Sequence, residues 1–260
     1  MAAFKTVLYS KEEGIATVVL NRPEVLNAIN EDVLSDLANI VEDVSRDDEV
    51  KVLMVTGNDS AFAAGADIKN FVTYSPPDAH QYISKVQLGM NKLMALGKPT
   101  IASIAGYALG GGCELALACD LRIAADNSFF GLPEINLGII PGGSGTQRLT
   151  RMVGEGKAKE LIFLGEIFNG QQALQLGLIN YLVPLQDLKE ETHKLAKRLA
   201  RKPPVAIRTA KELIHLSYDV DIFTGLMMEK EKFAYLFSTH DQKEGMTAFL
   251  EGRKADFKGR

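Results

Sequence analysis

The feature that most narrows the possible folds is a change of period part-way along the chain. Short β-rich runs occupy the first half, at Ile15 to Leu20, Val50 to Thr56, Thr100 to Ile104 and Leu121 to Ala125. Each is short and mostly apolar, as buried strands are. The first is closed by Asn21-Arg22-Pro23, whose proline cannot donate to a sheet ladder, and the second by Gly57-Asn58-Asp59-Ser60. Between them, Asn30 is placed to cap a helix with Glu31 and Asp32 in its first turn and Val33, Leu34, Leu37, Ile40, Val41 and Val44 on one face. From about residue 144 helical spacing takes over, in Ser144 to Met152, Glu155 to Leu164, Gln171 to Leu176, Asp187 to Arg201 and Pro204 to Ser217. The pattern predicts an α/β core followed by a helical extension. Asp221 to Phe237 and Asp241 to Leu250 carry Phe223, Leu226, Met227, Phe233, Leu236 and Phe237, an apolar load that predicts subunit packing.

A chain of 260 residues fits one large domain or a domain with an appendage. Hydrophobic residues at 46% and charged residues at 24% exclude a disordered or low-complexity chain. Lysine plus arginine number 29 against 33 acidic residues, a net charge of −4, so no basic excess advertises nucleic acid. Met1 to Gly14 carries Lys5, Lys11, Glu12 and Glu13 and no apolar signal core, and no stretch approaches the roughly 20 residues of a membrane span. A soluble, cytoplasmic protein is therefore expected. Cys113 and Cys119 are too few for a disulfide framework and lack the partners of a zinc site. His80, His193, His215 and His240 are scattered without metal-ligand spacing, so no metal is expected, and Asn58-Asp59-Ser60 reads as a turn.

Three segments carry the possible chemistry. In Gly110-Gly111-Gly112-Cys113-Glu114 the glycines bring bare backbone N–H groups to a helix start, where unpaired donors suit an anion or a carbonyl oxygen gaining negative charge. The same glycines also suit close packing or a tight turn. They match neither the phosphate loop nor the dinucleotide pattern. Glu114 follows inside an apolar run, where an ionised carboxylate is costly, and its other reading is helix-dipole stabilisation. Glu134, twenty residues on (134 minus 114), is likewise a carboxylate in apolar company. Two such glutamates can divide general acid and base work. Ala61 to Lys69, containing Ala64-Gly65-Ala66-Asp67, leads small residues into another helix start with a second available N–H and Asp67 as a possible cap. Ser144 to Gln147 has the spacing of a capping box, which makes Ser144 structural, and Lys157, Lys159, Arg198 and Arg201 read as a solvated face.

Together, Ala63-Ala64-Gly65-Ala66-Asp67, Gly110 to Glu114, Pro133-Glu134 and Ile140-Pro141-Gly142 with Gly145-Thr146-Gln147-Arg148-Leu149 resemble the enoyl-CoA hydratases, over nearly the whole chain from Asn21 to Phe257. The resemblance implies the crotonase fold, a ClpP-like spiral of ββα units over residues 1–200, with a helical trimerisation region over 201–260. Homotrimers or hexamers are expected with it. It implies that the N–H groups of Ala66 and Gly111 form an oxyanion hole for the thioester oxygen and that Glu114 and Glu134 are the catalytic pair. Gly142 matches the backbone position that helps hold the water, and Ala64, Asp67 and Ile68 fall where the family binds the adenine end of coenzyme A. The implied reaction is reversible syn addition of water to a trans-2-enoyl-CoA, with short chains favoured. Glu114 activates water and Glu134 protonates the α-carbon. Coenzyme A enters as part of the substrate, and no cofactor is implied. In Phe249-Leu250-Glu251-Gly252-Arg253, glycine stands where mammalian mitochondrial hydratases have a coenzyme A-binding lysine, leaving Arg253 as the candidate replacement. The acyl pocket is expected at residues 70–90, around Pro76-Pro77.

Rival expectations are a Δ3,Δ2-enoyl-CoA isomerase, which needs one main carboxylate, and related acyl-CoA lyases that keep both. An RNA-binding relative would need a lysine-rich surface, and a purely structural trimer leaves the two glutamates unexplained.

Overall fold

The computed structural model describes residues 4–260; the reading of the amino terminus as leaderless rests partly on Met1 to Ala3, which lie outside the described residues. The chain opens with an antiparallel hairpin, β1 (Val7–Glu12) and β2 (Ile15–Leu20), turning at Glu13 and Gly14, both at positive φ. Helix α1 (Glu31–Arg46) follows, and the Asn30 side chain accepts from the Val33 N–H at 3.0 Å as its cap. Then come β3 (Val52–Thr56), β4 (Ala61–Ala63), a 3₁₀ turn at Ile68–Thr73 and α2 (Pro76–Met94). The pattern repeats as β5 (Thr100–Ile104), β6 (Tyr107–Leu109) and α3 (Gly111–Ala118). It repeats again as β7 (Leu121–Ala125), β8 (Phe129–Gly131), a 3₁₀ turn at Pro133–Leu137 and α4 (Gly145–Val153).

Each repeat contributes one strand to each of two sheets, which is the ββα spiral. One sheet has the order β1-β2-β3-β5-β7-β10 and the other β4-β6-β8-β9, so chain neighbours such as β3 and β4 lie in different sheets. Strands β2, β3, β5 and β7 run parallel and are buried on both faces. Leu53, Val55, Ala102 and Ile104 pack into the main core, while Val52, Met54, Ile101 and Ile123 face Leu188, Leu195 and Ala196 of α7 (Leu188–Ala200). That two-sided burial explains why these runs lack polar alternation, at about 1.5 to 3 kcal/mol per large side chain.

The rest of the chain contains α5 (Glu155–Leu164), β9 (Phe168–Asn169), α6 (Gly170–Gln175), β10 (Tyr181–Val183) and, after α7, α8 (Pro204–Leu216), α9 (Ile222–Leu236) and α10 (His240–Leu250). The helical run expected from about residue 144 is thus interrupted by two short strands that complete the sheets. Lys211 ties α8 to the core through Asp120 at 2.8 Å. No residue of α9 is buried.

Two local expectations are corrected. Ser144 does not form a capping box: it sits at φ 92 and ψ 8, a left-handed conformation that turns its hydroxyl away from the helix N–H groups. Asp67 makes no capping hydrogen bond; its carboxylate pairs with Arg22 at 3.0 Å instead, which holds it below the usual carboxylate range.

Candidate active site

Ala66, Gly111 and Glu134 lie two or three residues past the ends of β4, β6 and β8, which are adjacent strands of one sheet. Successive turns of the spiral therefore deliver one group each to the same edge. Ala66 bridges to Ile29 in parallel register: the Ile29 N–H donates to the Gly65 carbonyl at 2.8 Å and the Asp67 N–H to the Ile29 carbonyl at 2.9 Å. In that geometry the N–H of Ala66 itself points to the opposite side, toward α3. Gly111 is the first residue of α3, so its N–H has no carbonyl one turn back to meet. A Cβ on Gly111 would lie 3.6 Å from the Ala66 nitrogen, so the two residues are in contact at the positive end of α3.

The close fit depends on glycine at two neighbouring positions. Gly110 adopts φ 48 and ψ −124, closed to side chains, while its N–H donates to the Gly131 carbonyl at 2.9 Å. A Cβ on Gly112 would stand 2.0 Å from the Ala63 carbonyl oxygen, so only glycine lets α3 pack against β4.

Glu114, in the first turn of α3, is 3% exposed. Its Oε1 accepts from the Gly145 N–H at 2.7 Å. Burial pushes its carboxyl up to about 7, against the pull of the Gly145 N–H; Glu134 adds to the rise. Glu134 is half-buried, and burial raises it as well. Its Oε2 has no hydrogen-bond partner among the described residues, although the atom itself is buried. Such an orphaned oxygen is costly in isolation and is a group positioned to act on something else. Burial thus raises both carboxyls, and the charge of Glu134 adds to the rise at Glu114.

Ala66, Gly111, Glu114, Glu134 and Gly142 all line one cavity of about 1410 Å³. Ala64, Asp67 and Ile68 are not on that lining; Ala64 is bonded to the Leu26 carbonyl, and Ile68 is 43% exposed beside the Arg22–Asp67 pair. Helix α2, which overlaps the segment expected to hold the acyl pocket at residues 70–90, supplies the facing wall with Tyr82, Ile83, Val86 and Met90. The side chain of Asn70 lies outside the described residues. From α2, Gln87 Nε2 donates to the Gly142 carbonyl at 2.8 Å, a contact that sequence reading missed because the partners are far apart in the chain.

Cys113 and Cys119 are buried free thiols pushed up to about 12, leaving almost no thiolate. Among the described residues, no group of three or more His, Cys, Asp or Glu side chains is placed to hold a metal, and no helix is long and apolar enough to cross a membrane. Lys157 and Lys159 form surface pairs with Glu160 and Glu155. Arg253 is engaged by Glu244 and Glu251, each at 2.6 Å, and lies off the cavity lining.

The family profile described as "Enoyl-CoA hydratase/isomerase" matches residues 10–260. The chain belongs to the enoyl-CoA hydratase/isomerase family. Within this family it is 43% identical to the crotonyl-CoA hydratase of Syntrophomonas wolfei and 41% identical to the short-chain-enoyl-CoA hydratase of Clostridium acetobutylicum, in each case over 98% of both chains. A solved enoyl-CoA hydratase from Bacillus anthracis superposes with a TM-score of 0.95 at 38% identity, covering 98% of this chain and all of the other. The spiral of ββα units is thus the fold of enoyl-CoA hydratase structures.

Proposed function

We propose that the protein is an enoyl-CoA hydratase that adds water reversibly and in syn fashion to trans-2-enoyl-CoA thioesters, short chains foremost. The observation that carries this reading is the meeting of two burial-raised carboxyls, Glu114 and Glu134, with the paired N–H groups of Ala66 and Gly111. The relatives named for crotonyl-CoA and short-chain substrates support the choice of acyl group.

In the proposed reaction the thioester oxygen accepts from the Ala66 and Gly111 N–H groups, which stabilise the negative charge that develops on it. Ionised Glu114 takes a proton from water as the water oxygen bonds to C3. The π-electron pair moves toward the thioester, and protonated Glu134 delivers its proton to C2 as the enolate collapses. Gly142 borders the space for the water. Each proton and electron pair is carried by a group of the chain or of the substrate, so the scheme needs no separate cofactor. An isomerase would move a proton between C2 and C4 with one main carboxylate; the retention of a second buried carboxyl favours hydration.

The adenine end of coenzyme A is assigned to the rim formed by Ala64, Asp67 and Ile68. Residues 201–260 are proposed as the subunit-contact region of a trimer or dimer of trimers, supported by the exposure of Phe223 at 77% and Phe233 at 63%. The bacterial relatives fit a cytoplasmic setting.

Loss of the conjugated thioester absorbance of crotonyl-CoA, measured with the wild type and Glu134→Gln, tests the reaction. Rapid loss that depends on Glu134 is expected. No loss with crotonyl-CoA or longer 2-enoyl-CoA substrates overturns the hydratase reading and turns attention to 3-enoyl isomerisation and then to RNA binding.

A further inference from the structure

The turn that embraces the Glu114 carboxylate contains a conformational anomaly that the water-addition scheme does not use. Ser144, between Gly143 and Gly145, is held at φ 92, a region that side chains other than glycine disfavour. Something must hold it there. Its hydroxyl accepts from Arg148 Nε at 2.5 Å, and its carbonyl accepts from the Arg148 N–H at 2.8 Å and the Gln147 N–H at 3.1 Å. The guanidinium also crosses to α2, where Nη2 donates to Asn91 Oδ1 at 3.0 Å and Nη1 meets Met94 Sδ at 2.7 Å. All three side-chain partners are neutral. Arg148 therefore joins the wall of the acyl cavity to the one turn whose N–H, from Gly145, meets Glu114 Oε1.

We propose that Arg148 is a positioning residue for the general base: it locks Gly143-Ser144-Gly145 in the conformation that presents the Gly145 N–H to Glu114 Oε1. This rests on the hydratase reading of Glu114. The titratable and charged groups facing Glu114 are Tyr82 from α2, Glu134 from the turn after β8 and Arg148 from α4, with Cys113 beside it on α3. Glu134 opposes negative charge at Glu114, and Arg148 favours it.

The test compares pH–rate profiles of the wild type, Arg148→Met, Arg148→Lys, Ser144→Ala and Ser144→Gly with crotonyl-CoA. Arg148→Met should lower kcat about 10- to 100-fold with KM within about threefold, because misplacing a catalytic group costs rate more than binding. Loss of the cation should move the acid limb of kcat/KM to higher pH by about half to one unit. Arg148→Lys keeps the charge without the fork, so it should restore the limb more fully than kcat. Alanine at 144 keeps the strained backbone without its anchor, whereas glycine adopts positive φ unaided, so Ser144→Gly should retain several-fold more activity than Ser144→Ala. An unshifted acid limb in Arg148→Met, or equal losses in the two Ser144 variants, overturns the proposal. If Arg148→Met does not fold, the Ser144 pair decides alone.

The Glu114 titration, followed by NMR of ¹³C-labelled glutamate and assigned with Glu114→Gln, reads the same shift without turnover. A wild type that hydrates no enoyl-CoA sinks the hydratase reading, while an upward Glu114 titration in Arg148→Met still upholds the hold of Arg148 on that carboxyl. No movement of the titration overturns it.

Discussion

Helices α3 and α9 are both rich in apolar residues, yet seven residues of α3 are buried and none of α9 is. In α3 every flank is closed by the same chain, with β4, β6, α2 and α4 around it, and this enclosure raises Glu114 far above the ordinary carboxyl range. In α9 the apolar side chains Phe223, Leu226, Met227 and Phe233 cover little of their own chain and stay exposed. Apolar content therefore says that a segment is to be covered, but only topology says by what. The first helix is desolvated by its own chain; the second keeps its apolar surface exposed.

The largest effect that sharpens this contrast lies at the closed end. Glu114→Gln and Glu134→Gln should each lower kcat by at least about 10³-fold in the crotonyl-CoA assay, since each removes one proton-transfer group. Near-parental turnover in either breaks the division of roles. Loss of turnover below about pH 7 is also expected as Glu114 takes up its proton.

The same enclosure has a stability signature of opposite sign. A carboxyl raised from 4.5 to about 7 binds its proton more tightly in the folded state, so the native chain holds more protons than the unfolded one between those values. Stability falls as pH rises through that window and is flat above it. Glutamine keeps an oxygen for the Gly145 N–H and carries no charge, so Glu114→Gln should be more stable than the wild type at pH 8 by about 2 to 3 kcal/mol. Denaturant titrations at pH 5 and pH 8 check this, and a difference that does not grow with pH contradicts it.

Gly112→Ala should lower the stability of the closed end by about 1 to 3 kcal/mol, because the added carbon meets the Ala63 carbonyl; an unchanged midpoint of unfolding would contradict the packing account. At the open end, Leu226→Asp should leave the circular dichroism of the fold intact and weaken subunit association about tenfold or more, read by sedimentation. Unaltered assembly would remove α9 from the proposed contact. Lys159→Ala, which deletes a surface pair with Glu155, should change stability by less than about 0.5 kcal/mol in the same denaturant assay.

How much of this was legible in the chain depended on how local the determinants were. Strand β2, helix α1 and the Asn30 cap could be read because their signals lie within one element. Strands β4, β6 and β8, of three residues each, are too short to show a period, and only their sheet partners make them strands. Helix α2 was missed behind Pro76-Pro77, although Ser75 and Asp78 form a capping box that announces it. Glu114 and Glu134 stood out as carboxylates in apolar surroundings, but the contacts of Arg148 with Ser144 and Asn91 did not, because a surface-type arginine and a polar helix give no hint of meeting. The false capping box at Ser144 has the same cause: its spacing was right, while the adjacent glycines released the backbone into another conformation.

The placement of Ala66, Gly111 and Glu134 just beyond three neighbouring strands makes the sheet a ruler. Adjacent strands lie about 4.8 Å apart whatever side chains they carry. The reach from the Ala66 and Gly111 N–H groups, the proposed oxyanion donors, to Glu134, the proposed proton donor, is therefore graduated by the backbone ladder. Helices and loops inserted between the graduations can reshape the cavity while the spacing of these three groups stays the same.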